Sequence, residues 1–245
     1  MAPVFRQDFP VSDIHLDCFR RVKPSVLLYF AQEIAGQHCL ELGVDWDTLA
    51  RQHMFWAVIR QRFQITRLPT AGETVTVETW PMPTTRTAFP RATVGYDENG
   101  KELFRALGLW VLMHTDTRAM ILPGKSGVLV DGISRGGELA APGSIAPRIL
   151  QNHIQKTVGF TELDRNGHMN NTRYMDWIDD LLPSTFHREH PVREFTVCYL
   201  TEAREGQRLD LNWALEDGLL HVDAHRQNPT DPNKQDRVFA AQVRF

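Results

Sequence analysis

FQITRLPTAG, residues Phe63–Gly72, has a counterpart in the second half of the chain, VCYLTEAREG, residues Val197–Gly206. Each stretch begins with an alternating strand pattern and ends at a glycine that precedes the next strand. Further along each half, FRA at residues 104–106 is echoed by FAA at residues 239–241. The identities are few, so the order of the predicted elements is what indicates an internal repeat.

Each half contains one amphipathic helix followed by several strand-like runs. The first helix is entered through Pro24, which a first helical turn tolerates well, and the second ends before Pro183. Both helices carry an apolar stripe at helical spacing, formed by Leu27, Phe30, Ala31 and Ile34 in the first half and by Tyr174, Trp177, Ile178, Leu181 and Leu182 in the second. A helix followed by antiparallel strands, occurring twice, predicts an α+β fold in which each sheet wraps around its helix. That arrangement offers a long apolar channel, which suits an extended aliphatic ligand.

A segment rich in glycine and proline separates the two halves. It runs from Asp131 to Arg148, and its composition is typical of a connection between domains. The predicted organisation is therefore an N-terminal repeat over residues 1–130, a linker over residues 131–150 and a C-terminal repeat over residues 151–245.

The composition is that of an ordinary globular protein. Of the 245 residues, 42% are hydrophobic and 23% are charged, and the formal net charge is −3, which gives no sign of a nucleic-acid partner. The three cysteines, Cys18, Cys39 and Cys198, form no short-spaced motif, which indicates a reducing compartment. Because there is neither a signal-peptide pattern nor an apolar run of membrane-spanning length, a cytoplasmic location is predicted.

The most distinctive motif is LDRNGHMNN, residues 163–171, which contains the pattern D-x-N-x-H directly before the second helix. Its glycine and asparagines favour a turn. Backbone N–H groups at a helix start are unpaired and lie at the positive end of the helix dipole, so those near Met169 and Asn170 are candidates for stabilising an oxyanion. The alternative is an asparagine-capped helix that follows a polar turn.

Other groups of reactive side chains are weaker candidates. Cys198 lies near Glu202 on a predicted strand and could be a nucleophile, although a small buried thiol is the commoner case. His221 and His225 flank Asp223, but residues four apart on a strand are about 13 Å apart, too far for one metal ion. A G-x-S-x-G element and a glycine-rich phosphate loop are both absent from the sequence. Neither a metal nor a cofactor is predicted.

The stretch around the D-x-N-x-H pattern is specific enough to indicate a resemblance to a known family. The stretch TELDRNGHMNNTRYMDW, residues 161–177, resembles the active-site segment of the plant-type and bacterial fatty acyl–acyl carrier protein thioesterases. The runs FWAVIR at residues 55–60 and WVLM at residues 110–113 are also similar to that family. The resemblance covers nearly the whole chain in order and implies a double hotdog fold, which agrees with the two predicted repeats.

The resemblance also implies which side chains are catalytic. Asp164, Asn166 and His168 match the acid, amide and imidazole of the family motif, and Glu202 matches a further glutamate. Asn166 is expected to position the nucleophile or the attacking water, and His168 to act as general base and then general acid. Asp164 is expected to orient the site, with direct attack by its carboxylate as the alternative. Many family members carry a cysteine where this chain has Ala203, so a cysteine nucleophile is not expected.

The expected reaction is hydrolysis of the thioester between a fatty acyl chain and acyl carrier protein. The first half lacks a D-x-N-x-H set, so its helix is free to hold the acyl chain, with Leu27, Phe30, Ala31 and Ile34 as candidate lining. The expected partner is acyl carrier protein, with no nucleic acid and no membrane span, and a homodimer is possible. The alternatives are an acyl-CoA thioesterase, another hotdog enzyme that acts on acyl thioesters, and a non-catalytic acyl-binding protein.

Overall fold

A computed structural model describes residues 3–231 and 233–245. The chain divides into two units, residues 1–142 (unit 1) and residues 143–245 (unit 2). The border lies within the segment predicted as a linker. In the described ranges, no helix has the length and apolar content needed to cross a lipid bilayer.

Unit 1 is an antiparallel sheet with one long helix, α1. The strands lie in the order β1, β3, β4, β5, β2, and a short strand β6 pairs with β5. The elements of unit 1 are β1 (Phe5–Pro10), α1 (Pro24–Glu41), α2 (Trp46–Ala50), β2 (Met54–Ile65), β3 (Thr74–Pro81), β4 (Phe89–Tyr96), β5 (Glu102–His114), β6 (Met120–Ile121) and α3 (Pro123–Ser126).

Helix α1 begins at a proline and packs its apolar stripe against the sheet. Lys23 before it is extended, and Pro24 occupies the first turn, where a missing N–H leaves no bond unmade. The predicted acyl-chain residues Leu27, Phe30, Ala31 and Ile34 are all buried. Phe30 stacks on Phe9 of β1, with ring centroids 4.6 Å apart. These side chains belong to the core of unit 1, and their role in holding an acyl chain stays a prediction.

Unit 2 repeats the same strand order, and both of its helices are much shorter than α1. The strands of its sheet lie in the order β7, β9, β10, β11, β8. Counted along each unit, this is the same spatial order as β1, β3, β4, β5, β2 of unit 1. The elements of unit 2 are β7 (Asn152–Thr157), α4 (Arg173–Asp179), α5 (Ser184–Glu189), β8 (Glu194–Tyr199), β9 (Arg208–Glu216), β10 (Leu219–Gln227) and β11 (Gln235–Arg244). The α+β prediction is confirmed, and the two units share one strand order, although β1 and β7 precede the helices, where the sequence pattern predicts no strand.

Helix α4 is shorter than its apolar stripe predicts. It ends at Asp179, and Leu181 and Leu182 form a tight turn in which their N–H groups donate to the carbonyls three residues earlier, at 3.1 and 3.3 Å. Pro183 is the reason, because the residue before a proline disfavours the helical backbone. Both leucines are nevertheless buried, so the stripe is correct as a core pattern.

The first part of the predicted linker packs on unit 1. The Ile133 N–H donates to the Pro81 carbonyl at 2.9 Å, and Arg135 forms a 2.7 Å ion pair with Glu78. Gly132 lies so close to β3 that a Cβ atom there would come within 2.1 Å of the Met82 carbonyl oxygen. The glycine therefore permits a close backbone approach rather than providing flexibility.

Candidate active site

The D-x-N-x-H motif forms a tight loop over residues 163–169, called here the Asp164 loop. The Asp164 N–H donates to the His168 carbonyl at 2.7 Å, and the Gly167 N–H donates to the Asp164 carbonyl at 3.0 Å. Gly167 has φ of +74°, a backbone conformation that glycine adopts without steric cost. The turn therefore holds the acid, the amide and the imidazole on one short, hydrogen-bonded segment.

The carboxylate of Asp164 is bound by its own loop. Its Oδ1 accepts hydrogen bonds from the N–H groups of Asn166 and His168, at 2.8 and 3.3 Å, and its Oδ2 accepts one from Asn166 Nδ2 at 3.3 Å. Both oxygens thus hold the loop in shape, an arrangement known from Asx turns. This geometry suits a residue that orients the side chains of its own loop.

The structure brings His168 and Glu202 together from separate segments. His168 Nε2 lies 3.0 Å from Glu202 Oε2, within hydrogen-bond distance. The His168 side chain is 8% exposed and that of Glu202 is 35% exposed, so the pair lies at the edge of the interior. Arg204 Nη2 lies 3.9 Å from the same carboxylate oxygen. A carboxylate in this position can orient the imidazole.

The two backbone N–H groups proposed for an oxyanion hole already donate hydrogen bonds to carbonyl groups within the protein. The Met169 N–H donates to the Ala203 carbonyl and the Asn170 N–H donates to the Glu162 carbonyl, both at 2.8 Å. That part of the prediction is wrong, because the loop needs these donors to bind its neighbouring segments. The Met169 bond also joins the residue after His168 to the residue after Glu202, so it holds the two segments side by side.

The alternative of an asparagine-capped helix differs from what is observed, because the N-cap of helix α4 is Thr172 and its side chain makes no capping hydrogen bond. Asn170 Oδ1 accepts hydrogen bonds from the N–H and the hydroxyl of Thr172, both at 2.9 Å, just before helix α4 begins. Asn170 therefore shapes the helix entrance, while Asp164, Asn166 and His168 lie on the preceding turn.

Sequence reasoning missed Tyr174 as part of the site. Its ring packs edge-on against Tyr199 and Phe239, which is why it reads as a member of the apolar stripe. Burial raises the pKa of its hydroxyl well above the ordinary value, with the nearby charges of Arg226, Asp164 and Glu202 as further influences. The hydroxyl also hydrogen-bonds to the Ala203 backbone.

Arg226 is the second residue that sequence reasoning missed. Its Nη1 donates to the Glu202 carbonyl at 2.8 Å. The signal is an arginine at the end of an alternating apolar stripe on β10, formed by Leu220, Val222 and Ala224. An arginine that ends a buried stripe and stays buried itself needs several acceptors nearby.

The weaker candidates lie elsewhere in unit 2. Cys198 is buried and its Sγ lies 3.6 Å from the Gly143 carbonyl. The carboxylate of Asp223 accepts a 2.6 Å bond from Arg237 Nε, and His225 lies 3.7 Å from it. Desolvation, together with the charge of Arg148, lowers the pKa of His221. Within residues 3–231 and 233–245, no group of three or more histidine, cysteine or acidic side chains could hold a metal ion.

Unit 1 contains a copy of the Asp164 loop over residues 16–22, called here the Asp17 loop. Asp17 N–H donates to the Arg21 carbonyl at 2.7 Å, and Asp17 Oδ1 accepts from the N–H groups of Phe19 and Arg21 at 2.8 and 2.9 Å. Arg20, with φ of +64°, stands where the other loop has its glycine. The two loops share one hydrogen-bond scheme.

The copies differ in the side chains that could perform chemistry. Phe19 stands at the position of Asn166 and Arg21 at that of His168. The Val22 N–H donates to the Pro69 carbonyl at 2.8 Å, as the Met169 N–H does to Ala203, so Leu68 corresponds to Glu202. The amide, the imidazole and the glutamate are thus present in unit 2 alone, whereas the aspartate is present in both.

Two family models match this chain, the acyl-ACP thioesterase N-terminal domain over residues 2–122 and the acyl-ACP thioesterase C-terminal domain over residues 149–238. The chain belongs to the acyl-ACP thioesterase family. The resemblance inferred from the D-x-N-x-H motif is therefore confirmed, and the second match contains all four predicted catalytic residues.

Curated members of the acyl-ACP thioesterase family are about a quarter identical to this chain over the aligned residues. The chloroplastic palmitoyl-acyl carrier protein thioesterase of Gossypium hirsutum is 26% identical over 214 residues, covering 81% of this chain and 52% of that protein. The chloroplastic dodecanoyl-[acyl-carrier-protein] hydrolase of Cinnamomum camphora is 26% identical over 215 residues, covering 81% and 56%. The chain spans about half the length of the curated relatives it matches.

Solved structures of acyl-ACP thioesterases show the same fold. The acyl-ACP thioesterase from Bacteroides thetaiotaomicron has a TM-score of 0.86 at 24% identity, with 99% of this chain and 98% of that chain covered. The 12:0-ACP thioesterase from Umbellularia californica has a TM-score of 0.83 at 22% identity, with 100% and 97% covered. The predicted double hotdog fold is confirmed.

Proposed function

We propose that this protein hydrolyses the thioester of fatty acyl–acyl carrier protein and so releases a free fatty acid. The observation that carries the proposal is the 3.0 Å contact between His168 and Glu202 beside the Asp164 loop, in a member of the acyl-ACP thioesterase family. Unit 1 keeps the loop and lacks this pair, so the pair is not a requirement of the fold.

In the proposed mechanism His168 moves one proton twice. Its imidazole accepts a proton from a water molecule as the water oxygen bonds to the thioester carbon, and Glu202 stabilises the imidazolium. The carbon–sulfur bond then breaks, and the imidazolium donates that proton to the departing sulfur. The products are the carboxylic acid and the carrier thiol.

Asn166 and Asp164 have supporting roles in this mechanism. The Asn166 amide positions the attacking water and offers a side-chain donor near the developing oxyanion. Asp164 orients the loop, since both its oxygens accept bonds from the loop and Asp17 does the same in the copy without His and Glu. This likeness supports water rather than the Asp164 carboxylate as the nucleophile.

The substrate is proposed to arrive on an acidic carrier protein. Arg165 is exposed within the Asp164 loop, and the side chain of Arg204, next to Glu202, is 58% exposed. Two guanidinium groups beside the reacting pair would attract an acidic partner, although the formal net charge of the chain is −3. The fatty acyl chain is proposed to lie in unit 1, near Leu27, Phe30, Ala31 and Ile34.

Two further proposals concern the setting of the reaction. The free cysteines Cys18, Cys39 and Cys198 support a reducing, cytoplasmic location, and localisation of a tagged protein tests it. A homodimer is also proposed, and light scattering during size-exclusion chromatography measures the mass that tests it. The curated relatives from plants are described as chloroplastic.

The test is release of free thiol from matched acyl-ACP and acyl-CoA substrates across a series of chain lengths. We expect a higher kcat/KM for acyl-ACP, and we expect that advantage to fall as salt rises, because 0.1 M salt screens surface charges beyond about 10 Å. Equal efficiency with acyl-CoA and no salt effect would favour the coenzyme A alternative. Acyl binding without thiol release would favour a non-catalytic protein.

A further inference from the structure

The segment that carries Glu202 has the same backbone as its counterpart in unit 1. In residues 200–207, the Glu202 loop, the N–H groups of Leu200 and Thr201 donate to the Val238 carbonyl at 2.9 and 3.1 Å. In residues 66–73, the Leu68 loop, the equivalent N–H groups donate to the Leu103 carbonyl at 2.8 and 3.2 Å. The two loops can therefore be compared position by position.

A guanidinium group holds each loop through the same two acceptors. In unit 1, Arg67 Nη1 donates to Glu73 Oε1 at 2.8 Å and to the Leu68 carbonyl at 3.4 Å. In unit 2, Arg226 Nη1 donates to the Glu202 carbonyl at 2.8 Å and to Gln207 Oε1. Gln207 stands where unit 1 has Glu73, so one clamp is built twice.

The two clamps take their arginine from different places. Arg67 belongs to the loop that it holds, whereas Thr201 occupies that position in unit 2 and the guanidinium comes from strand β10. There Asp236 Oδ2 lies 3.3 Å from Arg226 Nη2, and the loop acceptor Gln207 is neutral. Asp236 therefore balances the buried charge, and Glu202 contributes its backbone carbonyl while its carboxylate faces His168.

We propose that Arg226 is a positioning residue that fixes the Glu202 carboxylate against the His168 imidazole. The side chain of Arg226 is 10% exposed, and its planar guanidinium binds the loop and Asp236 through separate nitrogen atoms, a geometry that the single ammonium group of a lysine does not reproduce. This inference rests on the proposed function, because it assigns to Arg226 a task that matters only if the His168–Glu202 pair is catalytic.

A double-variant cycle on acyl-ACP hydrolysis tests the proposal. Arg226→Gln and Glu202→Gln are each expected to lower kcat by about tenfold or more with little change in KM, and to give the same altered pH–rate profile. The variant with both substitutions is expected to be no slower than Glu202→Gln alone, since Arg226 acts through Glu202. Arg226→Lys is expected to recover only part of the rate.

Arg67→Gln is the matched control, because it removes the same clamp from the loop that lacks a glutamate. It is expected to lower the Tm by less than Arg226→Gln, since the Arg67 side chain is 44% exposed and that of Arg226 is 10% exposed, and to leave the pH–rate profile unchanged. If Arg226→Gln does not fold, the same cycle is run with Gln207→Met, which removes one acceptor of the clamp and is expected to couple to Glu202→Gln in the same way.

Fully additive losses in the cycle, or a pH–rate profile that Arg226→Gln leaves unchanged, would overturn the role of Arg226 and leave the proposed function standing. A wild-type protein that hydrolyses no acyl thioester would overturn both. Hydrogen exchange gives a readout besides activity, since the amides of the Glu202 loop are expected to exchange faster in Arg226→Gln and not in Arg67→Gln. Unchanged exchange in both would contradict the clamp itself.

Discussion

At the scale of single residues, the two aspartates of the repeated loops separate scaffold from chemistry. Asp164 and Asp17 accept the same pair of backbone hydrogen bonds, although only one of them lies beside a histidine and a glutamate. A side chain that performs the same task in both copies is explained by the turn. His168 and Glu202 are not explained in that way, and they are the residues that carry the proposed reaction.

The role of Asp164 is tested by a substitution that keeps its shape. Asp164→Asn retains an oxygen that can accept the N–H groups of Asn166 and His168, so we expect less than about a tenfold loss of kcat. Asp164→Ala removes that acceptor and is expected to cost more in both Tm and kcat. Asp17→Asn serves as the control for stability. Complete loss of turnover in a well-folded Asp164→Asn protein would instead support carboxylate attack.

The sequence predicts the four proposed catalytic residues better than it predicts the residues that support them. Asp164, Asn166 and His168 are close in sequence, and Glu202 follows from the family resemblance, so their positions needed no knowledge of the fold. Arg226 could not be assigned in this way. Its partner is the Glu202 backbone carbonyl. That contact depends on how the sheet places strand β10 beside the loop that carries Glu202.

At the scale of elements, the loop clamps give unit 1 a measurable dependence on pH. Hydrogen bonding from Arg67 lowers the pKa of Glu73 from 4.5 to about 2. A carboxyl group whose pKa is lower in the folded state stabilises the fold above its unfolded pKa. That contribution is lost as the pH falls from about 4.5 to about 2. The equivalent residue of unit 2 is Gln207, which does not titrate.

Glu73→Gln should therefore flatten the acid side of the stability profile. We expect the decrease in Tm between about pH 5 and pH 3 to be smaller in this variant than in the wild type, because the group that takes up a proton has been removed. Glu98→Gln, at an exposed glutamate in the turn after β4, is the matched control. Equal acid-induced decreases in wild type and Glu73→Gln would contradict the assigned pKa.

The apolar stripe of helix α1 is expected to influence which fatty acid is released. Ile34 is fully buried on its sheet-facing side, and removing methylenes from a pocket changes substrate discrimination by about 1–3 kcal/mol, roughly tenfold or more. Ile34→Ala is expected to shift the preferred chain length of the released fatty acid. Leu40→Ala, on the same helix but 61% exposed, is expected to leave the product profile unchanged. A lower Tm with an unchanged profile in Ile34→Ala would assign the stripe to the core alone.

At the scale of the whole molecule, the two units contain the same loop, and only the copy in unit 2 carries an amide and an imidazole beside a glutamate. The order of helix and strands predicts both repeats, because apolar periodicity is a local property that each segment carries by itself. The domain limits are harder to predict from composition. Residues 131–142 read as linker, yet Gly132, Ile133 and Arg135 pack on β3 of unit 1, and glycine there serves a close contact rather than a flexible joint.

Unit 1 is also a source of controls, since Asp17 and Arg67 make contacts like those of Asp164 and Arg226 without the proposed chemistry. Substitutions in unit 1 report what each loop contributes to folding. The same substitutions in unit 2 report folding and catalysis together. Comparing the two within one protein separates the contributions under identical conditions.

Our main proposal is that the Asp164 loop and Glu202 hydrolyse a fatty acyl–acyl carrier protein thioester. It is tested most directly by thiol release from acyl-ACP by the wild type, Asn166→Ala and His168→Ala, with Phe19→Ala as the control at the unit 1 position of Asn166. We expect wild-type and Phe19→Ala turnover to be similar, and each unit 2 variant to be slower by roughly a hundredfold or more with its melting curve intact. Near wild-type turnover in a folded Asn166→Ala or His168→Ala protein would contradict the claim.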